Sequence, residues 1–228
     1  MTSPTAAATI DEHLERVRER VVGACQRAGR PAGSVTVVGV SKNHPVEAIA
    51  TAWRAGLRDF GENRVQEAEA KIRALAEQGI TPAWHLVGHL QANKVRAALD
   101  LFELVHSVDS ERLLRRIDRL ADAPVGVLIQ VNISGEPTKF GIRPSDLPRI
   151  LDAADELPHV YVRGLMTIAP VATDPEEVRP LFRALRDLAE RHRLHTLSMG
   201  MTDDFEVAIE EGATHVRIGR AIFGERPA

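Results

Sequence analysis

Cysteine is nearly missing from this chain of 228 residues, which has one, Cys25. A single thiol excludes an intrachain disulfide and any zinc site built from several thiolates, and it fits a reducing compartment. Cys25 falls on the apolar side of a helical pattern, where a core filler is expected rather than a reactive thiol. Aromatic residues are only 4% of the chain and include one tyrosine. No lysine- or arginine-rich stripe interleaves with them, and the net charge is −3. Nucleic acid is therefore not expected as a partner, because neutralising phosphates requires a basic face. Long hydrophobic runs are also lacking: the longest, near VGVLIQV, is far short of a membrane span. The opening MTSPTAAATI has neither the basic nor the apolar region of a signal peptide. A cytoplasmic protein without membrane contact is expected.

What is present is the profile of a globular protein, 44% hydrophobic and 27% charged. A chain of this length buries a core without metals or disulfide staples. Ile10, Leu14, Val17, Val21 and Cys25 follow helical spacing, so an amphipathic helix precedes the first strand. Strand-like segments then recur near 35–41, 57–60, 83–87, 102–106, 125–131, 160–167, 194–198 and 214–218. Helical stretches lie between them at 45–55, 63–78, 91–99, 110–121, 145–156, 175–191 and 203–211. Thr173-Asp174-Pro175-Glu176 offers a cap and a first-turn proline, and Pro180 implies that the regular helix starts later than 175. Gly79 and Gly212 stand where left-handed helix ends are wanted. Eight strands alternating with helices predict one domain over 1–228, with its core at about 10–224, folded as a single (β/α)8 TIM barrel with an additional N-terminal helix. An open doubly wound sheet is the competitor, although no glycine fingerprint follows the first strand.

A barrel places its chemistry at the carboxyl ends of the strands. Lys42 follows strand one directly, where a charged amine is costly to desolvate. GEN (61–63) follows strand two, WHLVGHLQANK (84–94) surrounds the end of strand three, and LSMGMT (197–202) follows strand seven. VRIGRAIFG (216–224) covers strand eight and a short helix begun by Gly219. The last two loops are the usual phosphate position in such barrels: Ser198 and Thr202 supply hydroxyls, and the helix supplies free amides. Gly200 in the first loop lets backbone approach an anion; the alternative is that Gly200 and Gly219 only make tight turns. Closure brings strand eight beside strand one, so Arg217 is expected near Lys42. A second cation and desolvation both depress a lysine pKa, leaving an amine able to attack an aldehyde. A snorkelling surface lysine is the alternative for position 42.

VGVSK, FGENRVQEAEAK, WHLVGHLQANK, VHSVDS, VNISGEPTKFGI, RGLMTIAP and LSMGMTDDFEVAIEEGATHVRIGRAIFG together resemble the pyridoxal phosphate homeostasis proteins, single-domain relatives of the alanine racemase barrel. The likeness runs from about residue 10 to 224. It implies pyridoxal 5'-phosphate as cofactor, with Lys42 as the Schiff-base lysine and Asn63 lining the ring. It implies a phosphate loop of Ser198, Met201 and Thr202, completed by Gly219 and the next amide, and Arg217 facing the pyridine nitrogen. A permanent cation there disfavours protonating the ring and weakens it as an electron sink. Three positions depart from the family: Arg64 replaces a frequent tyrosine, Thr202 a frequent serine, and Arg220 a serine or threonine. Arg220 is therefore kept as a weaker cofactor-binding candidate.

Racemisation on such a barrel needs a second proton-transfer group, which alanine racemases draw from a tyrosine in an added β domain. No such domain is expected in 228 residues, and Tyr161 lies at the start of strand six, the wrong end. His85 and His89 are expected near the mouth, His85 chiefly as a hydrogen-bonding residue. His85 and Lys139 are also candidates for cofactor entry or exchange, with a solvated loop charge as the alternative for Lys139. No metal site and no catalytic residue are expected. The resemblance implies a monomeric carrier acting in cofactor homeostasis, with cofactor-requiring apoenzymes as partners. A weak amino-acid racemase is the alternative.

Overall fold

The computed structural model describes residues 9–225. Helix α1 (Ile10–Arg27) comes first and is capped reciprocally: Thr9 Oγ1 accepts from the Glu12 amide at 3.3 Å, and Glu12 Oε2 accepts from the Thr9 amide at 2.8 Å. Eight strand–helix pairs follow: β1 (Thr36–Val40), α2 (Val46–Arg54), β2 (Asp59–Glu62), α3 (Val65–Ala76), β3 (Ala83–Leu86), α4 (Val95–Leu101), β4 (Leu104–Val108) and α5 (Glu111–Leu120) form the first half. The second half is β5 (Val125–Gln130), α6 (Leu147–Asp155), β6 (Val160–Met166), α7 (Arg179–Arg191), β7 (Thr196–Ser198), α8 (Phe205–Glu210), β8 (His215–Ile218) and the short α9 (Arg220–Phe223).

The strands close into one parallel barrel in chain order, and β1 pairs with β2 on one side and β8 on the other. That second pairing, with Val38 opposite Arg217, rules out the open doubly wound sheet. Strand two starts two residues later than the apolar run suggests. Leu57 still belongs to the turn, its amide bonded to Ala52 O at 3.0 Å after Gly56 at φ 91°. Strand four likewise starts at Leu104, because Phe102 closes α4. A single 3-10 turn (Pro175–Val178) precedes α7, so Pro180 sits in the first turn of the regular helix, where its missing N–H costs nothing. Asp174, rather than Thr173, caps that turn, accepting from the Glu176 amide at 2.9 Å. Gly79 and Gly212 have φ of 72° and 103°, as the helix-end reading requires.

The main core lies between the outer face of the barrel and the helices. Phe60, Leu86, Ile129, Leu165 and Ile218 meet Leu75, Leu114, Ile150, Phe182 and Phe205, all essentially buried. Each such side chain contributes about 1.5–3 kcal/mol. Cys25 is fully buried on α1, with burial pushing its thiol pKa up, as suits an inert filler.

The barrel interior is different. Leu104, Leu128 and Met166 form a small separate apolar cluster. Above and beside it the lumen is polar: His106 on β4 bonds Ser198 on β7 at 2.8 Å, a contact that only a line through the interior allows. TIM barrels usually fill this space with bulky branched residues. Gly164 shows how tightly the wall closes here, since a Cβ there would lie 1.8 Å from Thr196 O.

Candidate functional site

The carboxyl ends of the strands surround a cavity of about 270 Å3. Lys42 enters from the β1 end, Asn63 from the β2 end and Arg217 from β8. Met201 and Thr202 come from the loop after β7, and Gly219 and Arg220 from the head of α9. Val40, Val87 and Ile168 provide apolar wall. Larger hollows lie on the outer surface, one of about 720 Å3 beside the Arg112–Arg119 face of α5.

Lys42 sits in a four-residue turn whose neighbours on both sides are gripped. The Ser41 amide bonds Gly61 O at 3.0 Å, and Asn43 adopts φ 63°, a left-handed conformation that asparagine tolerates. Buried Lys71 on α3 donates from Nζ to Ser41 O (2.7 Å), Glu62 Oε1 (2.8 Å) and Glu67 Oε1 (2.7 Å). Ser41 Oγ donates to Glu62 Oε1 at 2.7 Å, and the Asn43 amide donates to Glu67 Oε1 at 2.6 Å. Burial pushes the Glu62 carboxyl pKa up, while hydrogen bonds from Lys71 and Ser41 pull it down. At Glu67 burial also raises, but the bonds from Lys71 and the Asn43 amide win and hold the carboxyl below its usual range. One ammonium with two carboxylates thus fixes the backbone either side of Lys42.

Across the cavity, the loop after β7 is pinned to β8 by the Arg217 amide bonding Gly200 O at 3.0 Å. Asp204 Oδ1 accepts from the Met201 amide at 2.5 Å. Gly200 has φ 89°, and a Cβ there would press on Ala208 at 2.6 Å, so this glycine serves the turn and its packing on α8. Thr202 Oγ1 stands 3.5 Å from the Ala221 amide at the head of α9.

Three expected residues, Ser198, His85 and Lys139, are elsewhere. Ser198 Oγ is fully buried and points into the barrel lumen, accepting from Arg217 Nη1 at 2.6 Å, so its hydroxyl does not line the cavity. In a three-residue strand, alternation sends the β7 terminus inward and leaves the loop beyond it to form the rim. His85 is also in the lumen, bonded to His106 at 2.9 Å and Asp59 at 3.1 Å, and not at the mouth. Lys139 lies beside Glu136 at 2.7 Å within its own loop and is not part of the cavity wall. His89 stacks on Phe140 at 4.3 Å and faces Asp109 at 3.3 Å. Arg220 turns to Asp203, with contacts of 2.5 and 2.7 Å, and both residues line the cavity.

Sequence reasoning missed Glu62, Glu67 and Lys71. The Glu67–Lys71 spacing on the helix after GEN was the available signal, but it reads equally well as a surface pair. It also missed His106 and Asp203.

Arg217 is nearly fully buried, donating from Nη2 to Thr167 O at 2.8 Å as well as to Ser198. Burial lowers its pKa to about 10, partly offset by Asp204, so it stays cationic at neutral pH. The cavity therefore combines an amine, apolar walls for a flat ring, a fixed cation, a hydroxyl and the amides heading α9. That donor set fits a phosphorylated aromatic aldehyde. Among the described residues no group of His, Cys, Asp and Glu is arranged to hold a metal ion.

Residues 13–227 match the family model described as alanine racemase, N-terminal domain. A curated relative from Aquifex aeolicus, a pyridoxal phosphate homeostasis protein, is 46% identical over 224 residues, covering 94% of this chain and 97% of its own. The chain belongs to that family. Its Escherichia coli K12 member is 42% identical, over 95% of this chain and 97% of its own. The solved structure of PipY from Synechococcus elongatus PCC7942 with PLP bound superposes with a TM-score of 0.83 at 39% identity, covering 95% of this chain and all of that one. Alanine racemase from Corynebacterium glutamicum shares the fold, with a TM-score of 0.68 at 20% identity, and this chain covers 62% of its length.

The clamp around Lys42 has a measurable energetic signature. Lys71→Met, which leaves Glu62 buried without its counter-charge, is expected to lower unfolding free energy in urea by about 3 kcal/mol or more. Adding Glu62→Gln is expected to recover part of that loss. A double variant as unstable as the sum of the two singles would show that the pair is not coupled.

Proposed function

We propose that this protein is a pyridoxal phosphate carrier, holding the cofactor as a Schiff base on Lys42 and acting in intracellular homeostasis of that cofactor by buffering or delivery. The observation that carries the reading is the shared cavity: Lys42 faces the same space of about 270 Å3 as Thr202, Gly219 and the head of α9. The PLP-bound PipY relative supports it. In this reading Asn63 lines the ring and Arg217 faces its nitrogen. Thr202 and the amides of Arg220 and Ala221 hold the phosphate, with Met201 closing one side. Ser198 acts behind Arg217 instead of on the phosphate.

Residues at the cavity also favour holding over turnover. Apart from Lys42, its ionisable lining is Asp203, Arg217 and Arg220. Tyr161 is exposed near the opposite end of β6, and His85 is committed within the lumen. Asp203, the carboxylate in that lining, is ion-paired with Arg220, and Arg217 stays cationic, which favours the carrier over the racemase alternative. Cofactor-requiring apoenzymes are the natural recipients of such a carrier, and a monomer leaves the cavity mouth open to them. No helix of the described residues is long and apolar enough to cross a membrane.

Borohydride reduction of cofactor-soaked protein is expected to trap an adduct on the Lys42 peptide, and Lys42→Ala is expected to abolish it together with the bound absorbance. Efficient racemisation of an amino acid dependent on Lys42 would instead favour the enzyme. Arg220 supplies a second test. Its guanidinium is shared with Asp203, so Asp203→Asn removes a carboxylate from the phosphate end and frees the cation. Affinity for pyridoxal phosphate is expected to rise by about threefold to tenfold in low salt, with a smaller gain in high salt. An unchanged affinity would remove Arg220 from the binding set.

A further inference from the structure

The polar lumen beneath Arg217 is not needed to build a barrel, yet its members are joined end to end. Arg217 Nη1 to Ser198 Oγ is 2.6 Å, Ser198 Oγ to His106 Nδ1 is 2.8 Å, and His106 Nε2 to His85 Nδ1 is 2.9 Å. His85 Nε2 then lies 3.1 Å from Asp59 Oδ1, at the first residue of β2 and so at the opposite end of the barrel from the cavity. Ser198 and His106 have no exposed surface, and His85 retains 4%.

Donor and acceptor chemistry fixes the direction of every link. A guanidinium has no acceptor, so Arg217 donates to Ser198. The buried hydroxyl must then give its own proton to its remaining partner, His106 Nδ1, leaving that nitrogen as an acceptor. Burial first, then the neighbouring rings of His85 and His215 and the charge of Arg217, keep His106 well below the usual histidine range. A neutral ring that accepts at Nδ1 carries its proton on Nε2 and donates to His85 Nδ1. His85 in turn carries its proton on Nε2, facing the Asp59 carboxylate. His215 stands beside both rings, with centroids 6.0 Å from His85 and 5.9 Å from His106, and its Nδ1 is bonded to Thr214 Oγ1 at 3.0 Å. It flanks the chain without interrupting it.

We propose that Ser198 and His106 are positioning residues for Arg217, the first links of a one-way hydrogen-bond chain running Arg217, Ser198, His106, His85, Asp59 that sets how the guanidinium faces the cavity. The proposal deepens the carrier reading and rests on it for its binding consequence. With Nη1 and Nη2 anchored to Ser198 and Thr167 O, the guanidinium plane is fixed, and its remaining N–H groups are held in one orientation. Breaking the chain at His106 leaves the Ser198 proton without an acceptor, and that hydroxyl then competes for other partners at the expense of Arg217's geometry.

Two measurements on the full chain test this. Long-range nitrogen–proton NMR of histidine-labelled, cofactor-free protein at neutral pH is expected to show His106 neutral and protonated on Nε2. An Nδ1-protonated or doubly protonated His106 would overturn the chain. In titrations with pyridoxal phosphate, His106→Phe is expected to bind about tenfold more weakly, with a displaced absorbance maximum, and His106→Gln to recover to within about twofold. Glutamine offers an acceptor and a donor at comparable spacing, so it keeps the direction of the chain. A folded Phe variant with unchanged affinity and spectrum, or a Gln variant no better than Phe, would overturn the proposal. Should the Phe variant not fold, Ser198→Ala breaks the adjacent link and is held to the same expectations. Failure of the unaltered protein to take up pyridoxal phosphate would sink the carrier reading, while the tautomer measurement would still decide the chain.

Discussion

A permanent cation buried in the throat of a closed barrel sets the terms for what surrounds it. Arg217 stays charged at neutral pH, and leaving its donors unmatched in a desolvated lumen would cost several kcal/mol. The protein answers with Ser198, Thr167 O and the field of Asp204. Ser198 in turn needs an acceptor, and His106 supplies one. The polar lumen is thus a consequence of placing an arginine there, and the arginine makes sense only through the cavity it faces.

Lys42 poses the complementary problem at the neighbouring strand. The turn that carries it is fastened by a separate charged triad, buried Lys71 and Glu62 with half-buried Glu67. The β1–β8 pairing brings the two systems to one cavity, and it exists because the eight strands close. Each charged device is anchored from outside the cavity: Lys42 by α3 behind the sheet, Arg217 by the lumen below. Such preorganisation lowers the cost of ordering a ligand in one pose.

Much of this was legible in the sequence. The alternation of strand-like and helical segments gave the barrel, and the strand-end rule put Lys42, Asn63, Thr202, Arg217 and Gly219 at one rim. What escaped was direction. Strands of three to five residues carry too little pattern to tell which side chain faces the lumen, so Ser198 and His85 were expected at the mouth and lie inside. Glu67 and Lys71 read as an ordinary helical ion pair, because burial of that face depends on how α3 packs over the Lys42 turn. Arg220 is a different kind of case. The sequence marked the lost hydroxyl, whereas the partner that takes up its guanidinium, Asp203, is visible only in three dimensions.

The most direct test of the account is a crystal structure of this chain grown or soaked with pyridoxal phosphate. The account expects continuous density from Lys42 Nζ to the ligand, the phosphate between Thr202 and the head of α9, and the ring nitrogen facing Arg217. Ligand density detached from Lys42, or a phosphate lodged away from Thr202 and α9, would contradict it.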